Sequence, residues 1–458
     1  MEDYRFVGRK KELKSLEEMY QRKGFDFTVV YGRRRIGKTE LIKEFVKNKK
    51  CIRFTSYKAG AQILLTSFCS QVGLQLLGSE DFYLPSFEAV FRFIAKQAEK
   101  KKLVLVLDEF PYLAKSDESV ISLLQVFCDY EFKSTQLKLI LSGSSKSFME
   151  DKVLGEDSPL YGRRTLQIKL KAFSLKESAM LLSSWDREAV TIAHSICGGV
   201  PLYLNYFSQY NSVEEALKKL FFTSNGILCN EAQILLQMEG YGSVTYNDIL
   251  TVLSSGTNEV KKIAEKIGAE TATVSAALKK LKEIGICEAV EMVGSKTSKK
   301  SWSVEDDFFR FFYAYVQPYT SLIDIDYAEA PYNKMIIALP QFVGKAIEKE
   351  CRVYVLKHSS FSLTRIGFCQ MGDPKTRRNE EVDIVGYSAD KEWCFGECKW
   401  RNTPCSLEVY NILLHRSFLI SSAPEREYWI ISKSGFSDEL KAVQDQRLHL
   451  VDFDELFI

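Results

Sequence analysis

Phe27-Thr28-Val29-Val30-Tyr31, then Gly32-Arg33-Arg34-Arg35-Ile36-Gly37-Lys38-Thr39, is the stretch from which the rest of this sequence is read. A β-branched and aromatic run ends in one glycine, a second glycine follows, and Lys38-Thr39 open a helical pattern, ELIKEFVKN. Strand, glycine-bounded loop and helix in that order satisfy G-x-x-x-x-G-K-[ST] in the context the motif requires. The glycines let the backbone N–H groups of the loop curl around a β-phosphate at a helix N-terminus, where the dipole favours anions. Gly32, Arg33, Arg34, Arg35, Ile36 and Gly37 are therefore expected to bind nucleotide. Lys38 is expected to neutralise the β- and γ-phosphates, and the Thr39 hydroxyl to coordinate Mg²⁺. ATP and Mg²⁺ are the cofactors this implies.

Working outward, Leu103-Val-Leu-Val-Leu107 reads as a buried strand that ends in Asp108-Glu109. Asp108 is expected beside the metal, and Glu109 as the base or positioner of a water attacking the γ-phosphate. The runs CIRFTS, LKLILSGSS and LQIKL complete a set of continuous apolar strands separated by helices, the pattern of a parallel sheet buried on both faces. LKLILSGSS ends in Ser142 and Ser144, whose hydroxyls are placed to sense γ-phosphate or water. Arg163 and Arg164 form a turn before LQIKL, and a guanidinium there suits an arginine finger acting in cis or on a neighbouring copy, so a homo-oligomer is among the expected partners.

Composition limits the alternatives. The 458 residues are 46% hydrophobic and 27% charged, with a formal net charge of +2, so a nucleic acid must be met by a local patch. No apolar run reaches membrane-spanning length, and no signal-peptide core opens the chain; no membrane partner and a reducing cytoplasmic address are expected. Eleven cysteines stand without a C-x-x-C pair, and four histidines without ligand spacing, so any metal is left to carboxylates.

Beyond residue 170 the pattern changes. Residues 171–240 read as helices alone. Between 258 and 303, Ile263, Ala264 and Ile267 make one apolar helix face and Val274, Ala277, Leu278 and Leu281 the next. A hairpin with Lys296, Lys299 and Lys300 at its tip then follows. That stretch holds nine Lys against six Glu, a mild basic excess that makes DNA an expected partner. Phe308 to Tyr313 read as an aromatic helix that closes this part against its neighbours.

Farther on, a helix carries Glu348, a strand carries Asp383, and the next strand carries Glu397 and Lys399. At period two, Glu397 and Lys399 share a face, and Asp383 on the adjacent strand joins them. Paired carboxylates suit a hard divalent cation bound through oxygen, here Asp383 and Glu397. Glu348 completes the shell or holds a second metal, and Lys399 orients water or stabilises charge.

Two resemblances add to this reading. Phe6-Val7-Gly8-Arg9-Lys10-Lys11-Glu12-Leu13 resembles the hhGRxxE segment of AAA-like and STAND-type ATPases, which implies that Arg9 lies near the adenine. Together with GRRRIGKTELI, VLDEFPYL, LSGSS, LYGRRT and Cys197-Gly-Gly199-Val-Pro201, it is similar to the archaeal-type ATPase family, which implies a second sensor at Pro201. The stretch 258–303 resembles a winged helix-turn-helix, and Glu348, Asp383 and Glu397-x-Lys399 resemble the PD-(D/E)XK nuclease superfamily. The expected architecture is α/β and multidomain. A P-loop ATPase domain with a parallel sheet occupies 1–170, a helical lid 171–240, a winged helix 241–325 and a restriction-endonuclease-like domain 330–458. The implied function couples ATP binding and hydrolysis to DNA processing. A STAND-like or DNA-binding switch with a lapsed nuclease fold is the alternative.

Overall fold

The computed structural model describes residues 6–294, 301–374 and 377–458. The chain forms two compact units, Met1–Ala172 and Phe173–Ile458. In the first, β1 (Asp26–Tyr31), β2 (Cys51–Thr55), β3 (Leu103–Asp108), β4 (Leu137–Gly143) and β5 (Leu166–Lys169) make one sheet in the order β2-β3-β4-β1-β5. Every pairing is parallel. All residues of β1, β3 and β4 are buried, because alternate side chains feed two helical layers. Val29, Tyr31, Leu105, Leu107, Leu139 and Leu141 pack into one core, while Val30, Val104, Val106 and Ile140 pack into the other. The apolar runs are continuous for that reason. Since the strands are parallel, the segments after Tyr31, Asp108 and Gly143 all leave the same edge of the sheet.

At the opposite edge a lysine is fully enclosed. Lys138 Nζ donates to Asp26 Oδ2 at 2.5 Å and to the carbonyls of Gly24 at 2.8 Å and Arg22 at 3.0 Å. A buried ammonium persists only when its donors are met in this way.

The second unit begins with the helices Leu175–Leu181, Arg187–Cys197, Pro201–Phe207, Val213–Phe221 and Glu231–Met238. Helices Val244–Ser254, Val260–Ile267 and Thr271–Glu283 follow, then an antiparallel pair, β6 (Cys287–Val290) and β7 (Ser301–Val304). Lys296, Lys299 and Lys300 lie outside the described residues. Phe308, Phe309, Phe311, Phe312 and Tyr313 are buried. The 30-residue helix Glu329–His358 leads into β8 (Leu363–Gly372), β9 (Asn379–Ser388), β10 (Trp393–Lys399), β11 (Arg426–Ser432) and β12 (Leu448–Asp452). These form a mixed sheet, β12-β11-β10-β9-β8, antiparallel from β8 to β10 and parallel from β10 to β12. One apolar core runs through this unit from Phe173 to Phe457, so the zones expected at 171–240, 241–325 and 330–458 share their packing.

Candidate functional site

The phosphate-binding loop is shaped by its glycines. Gly32 leaves β1 at φ 155°, where a Cβ would stand 2.5 Å from the Leu170 carbonyl oxygen. Gly37 sits at φ 90° immediately before the helix Lys38–Val46, a conformation that L side chains rarely take. Lys38 is buried, and its Nζ donates to the carbonyls of Gly32 and Arg33, each at 3.0 Å. Arg9 is also buried, and its Nη2 donates to the Ile36 carbonyl at 3.0 Å, which fastens the Gly8-Arg9 segment to the loop. Arg34 reaches the Tyr112 hydroxyl at 3.2 Å, and Arg35 has a left-handed backbone at φ 67°.

The carboxylates of β3 meet this loop. Thr39 Oγ1 donates to Asp108 Oδ2 at 3.1 Å, and Asp108 Oδ1 accepts the Glu109 N–H at 3.1 Å. Glu109 takes a left-handed backbone, φ 51°, at the turn from β3 into the helix Phe110–Ser116. Its Oε2 accepts the Ser144 hydroxyl at 2.6 Å. Lysine, hydroxyl, two carboxylates and a serine thus share one edge of a parallel sheet. Thr39 and Asp108 fit a Mg²⁺ ion through their adjacent oxygens. Ser144 is the serine brought to Glu109. Ser142 is enclosed within β4 opposite Val30, and among the described residues its Oγ has no hydrogen-bond partner.

Arg163 requires a correction as a finger in cis. Its guanidinium makes a two-point contact with Asp129, 2.7 Å from each bond, and donates to the Pro159 carbonyl at 2.7 Å. It precedes β5, and Thr165 pairs with Phe27 at the start of β1. Arg163 therefore lies at the amino end of the sheet, whereas the phosphate loop leaves the carboxyl end. A six-residue strand separates those ends by roughly 20 Å. The Asp129 pairing holds the Asp129 carboxyl below its ordinary range. Pro201 opens the helix Pro201–Phe207 in the second unit, after Gly198 and Gly199, both at positive φ. Proline is well suited to that first position, since its missing N–H has no helical partner to lose.

The second cluster lies where the helix Glu329–His358 meets β9 and β10. The β9–β10 ladder ends at Ile384 and Gly396, and the Cys398 N–H then donates to Asp383 Oδ2 at 3.0 Å. Lys399 Nζ bonds Glu397 Oε2 and lies 3.8 Å from Asp383 Oδ2, so Asp383, Glu397 and Lys399 converge. Glu348, Glu381 and Asp383 each offer an oxygen within 4.8 Å of the others, a spacing a divalent cation can bridge. Glu397 stands beside this trio, with its other oxygen accepting from Arg416 Nη1 at 3.0 Å.

The cluster is charged on both sides. Lys345 Nζ lies 3.1 Å from Glu348 and 2.7 Å from Glu381. Arg352 approaches Glu348 at 3.4 Å and donates to the Asp383 carbonyl at 2.9 Å. Burial, reinforced by the Asp383 charge, pushes the Glu348 carboxyl up to about 7 against the pull of Lys345 and Arg352. Burial and Asp383 raise Glu397 as well, against Lys399 and Arg416. Lys399 is raised too, which favours its charge: burial works against the ammonium, but Glu397 and Asp383 outweigh it and hold it above its ordinary value. Burial that disfavours a charged carboxylate is a cost that a nearby positive charge offsets.

Four members of this cluster lie outside the sequence reading: Glu381, Lys345, Arg352 and Arg416, of which Arg352 stands one helical turn after Glu348. Glu381 is two residues before Asp383 and so on its face, a signal that period two contains. Lys345 stands one helical turn before Glu348, which was also visible. Arg416 arrives from the helix Leu407–Ile420, and no local pattern announces it.

The first of these sites lies in a part of the chain that resembles known ATPases. Residues 6–207 match a family described as an ATPase domain predominantly from Archaea, and residues 312–411 match one described as archaeal and bacterial proteins of unknown function. An uncharacterised protein of Methanocaldococcus jannaschii is 28% identical over 438 residues, covering 93% of this chain and 95% of that protein. An uncharacterised ATP-binding protein of the same organism is 50% identical over 48 residues, 10% of this chain and 81% of its own length. The solved structure of a Walker-type ATPase of Pyrococcus abyssi superposes with a TM-score of 0.52 at 20% identity, over 67% of this chain and 96% of that one. The amino-terminal part of the chain thus matches an ATPase domain of the archaeal type and shares the P-loop ATPase fold. Among the described residues no helix is long and apolar enough to cross a membrane.

Proposed function

We propose that the protein binds and slowly hydrolyses Mg-ATP, and that nucleotide state governs a divalent-cation-dependent nuclease site in the carboxyl-terminal unit. The observation that carries the first half is the Thr39–Asp108 contact beside a Glu109 already held by Ser144. Lys38 then binds the β- and γ-phosphates, exchanging its loop carbonyls for phosphate oxygens. Glu109 takes a proton from the attacking water, and Ser144 keeps that carboxylate aimed. Bound Mg²⁺ would offset the phosphate charge between Thr39 and Asp108.

In the second half, Asp383, Glu381 and Glu348 would hold a cation that polarises a phosphodiester, while Lys399 faces developing negative charge. The three helices Val244–Ser254, Val260–Ile267 and Thr271–Glu283 with β6 and β7 support a winged-helix reading. Thr273, Ala276 and Lys279 are exposed on the third helix, on the face that would meet DNA. A soluble, cytoplasmic protein acting on DNA, with a homo-oligomer as its working form, completes this proposal. One observation favours the switch with a lapsed nuclease instead. Lys345, Arg352, Lys399 and Arg416 already neutralise the carboxylates, and a cation must displace them.

Calorimetry and phosphate release test the first half: Lys38→Ala should lose ATP binding altogether. For the second, labelled DNA and RNA with Mn²⁺ should be cut by the wild type and not by Asp383→Ala, with ATP hydrolysis equal in both. Cleavage by neither protein, with intact ATP turnover, selects the lapsed-nuclease reading.

A further inference from the structure

Eleven cysteines without sequence pairing argued against disulfides, yet two of them meet. Cys351 is fully buried on the helix Glu329–His358, one turn after Glu348. Cys398 is half-buried on β10, between Glu397 and Lys399. Their Sγ atoms are 3.1 Å apart, inside ordinary sulfur–sulfur contact, while both remain free thiols. Forty-seven positions of chain separate them, so tertiary packing alone brings them together.

We propose that Cys351 and Cys398 are a reversible thiol-oxidation site, converted to an intramolecular disulfide by a peroxide. The sulfurs must close by about 1 Å to reach the ~2.05 Å of a disulfide. Cys398 is the more exposed of the two and meets the oxidant first; its contact with Cys351, burial and the Asp383 and Glu348 charges hold its thiol well above the ordinary value, so the attack is slow at neutral pH. Its sulfur attacks one peroxide oxygen, giving a sulfenic acid and releasing one water. Cys351 then attacks the sulfenic sulfur and displaces that oxygen as a second water. Two thiols and one hydrogen peroxide become one disulfide and two waters, the sulfurs oxidised and both peroxide oxygens reduced.

The location gives the bond its consequence. The Cys398 N–H holds Asp383 Oδ2, and Cys351 shares its helix with Glu348. The cross-link pins that helix to β10 through the residue between Glu397 and Lys399. The disulfide itself forms whether or not the neighbouring carboxylates take part in cleavage.

The full chain is treated with dilute hydrogen peroxide, its remaining thiols are alkylated, and peptides are mapped without reduction. The expected result is a single linked peptide joining Cys351 to Cys398, with the whole chain, weighed before alkylation, lighter by about 2 Da and restored by dithiothreitol. Cys351→Ser should then accumulate a sulfenic acid at Cys398 that dimedone traps. The proposal is overturned if the linked peptide forms only from the urea-unfolded chain, if other cysteine pairs appear with equal yield, or if only oxygen additions are found.

Discussion

Replacing Glu348 by glutamine should make the carboxyl-terminal unit more stable at alkaline pH and change it far less at acid pH. Glu348 is 7% exposed, and burial is the largest influence on it, exceeding the help of Lys345 and Arg352. Raising a carboxyl from 4.5 to about 7 corresponds, at ~1.36 kcal/mol per pH unit, to about 3 kcal/mol that the ionised form takes from the folded state. The sign follows from proton binding. Between the two values the folded chain binds the proton more tightly than the unfolded chain, so wild-type stability falls as pH rises through that window. At pH 5 most of the penalty is absent, and by pH 8 it is nearly complete. The wild type should therefore lose about 2 to 3 kcal/mol relative to Glu348→Gln between those pH values. Titrations common to both proteins cancel in the difference. All five tryptophans, Trp185, Trp302, Trp393, Trp400 and Trp429, lie in the second unit, so urea unfolding followed by tryptophan emission reports on it alone. Mn²⁺ at pH 8 should narrow the gap by stabilising the wild type. A difference that stays flat with pH, or that grows in favour of the wild type, would show that Lys345 and Arg352 outweigh burial, and the reasoning fails.

Glu109→Gln should bind ATP as the wild type does and release no phosphate, because an amide cannot take the water's proton; equal loss of binding by calorimetry would contradict the assignment. Ser144→Ala should lower ATP turnover about tenfold or more at unchanged affinity, since it removes a hydrogen bond to a charged group worth ~1.5 kcal/mol or above. Unaltered turnover in a phosphate-release assay would place Ser144 outside the mechanism. Lys138→Met should destabilise the first unit by about 3 kcal/mol, leaving Asp26 buried with Arg22 alone at 3.4 Å. Urea unfolding by circular dichroism checks this, and a neutral result would mean that Asp26 takes up a proton instead.

The parallel sheet was legible because each strand carries its own signal. Buried on both faces, β1, β3 and β4 have no polar alternation to confuse them, and the phosphate loop is fixed by residues adjacent in sequence. What lay beyond reading was which side of an element faces what. Ser142 and Ser144 are two apart, but β4 ends at Gly143, so period two stops applying between them. For Arg163 the cis role is excluded by an argument the sequence already contains, since a turn that precedes a parallel strand sits opposite the loops that follow its neighbours. At the second cluster the expected carboxylates did converge. Their neutralising partners come from other elements, and Arg416 belongs to a helix with no chemical motif of its own.

The helix Glu329–His358 also behaves as a camshaft. At 1.5 Å per residue it is about 45 Å long, and residues two apart point to nearly opposite sides. Glu348 faces the carboxylate cluster, while Glu350 approaches His194 Nε2 at 3.8 Å, and His194 Nδ1 is 2.8 Å from Ser178. His194 stands four residues before Gly198, within the segment that matches the ATPase family. A turn of this shaft large enough to swing Glu348 out of its cluster must drag Glu350 away from His194. The two engagements are cut on one axle, so neither can be advanced or retarded alone.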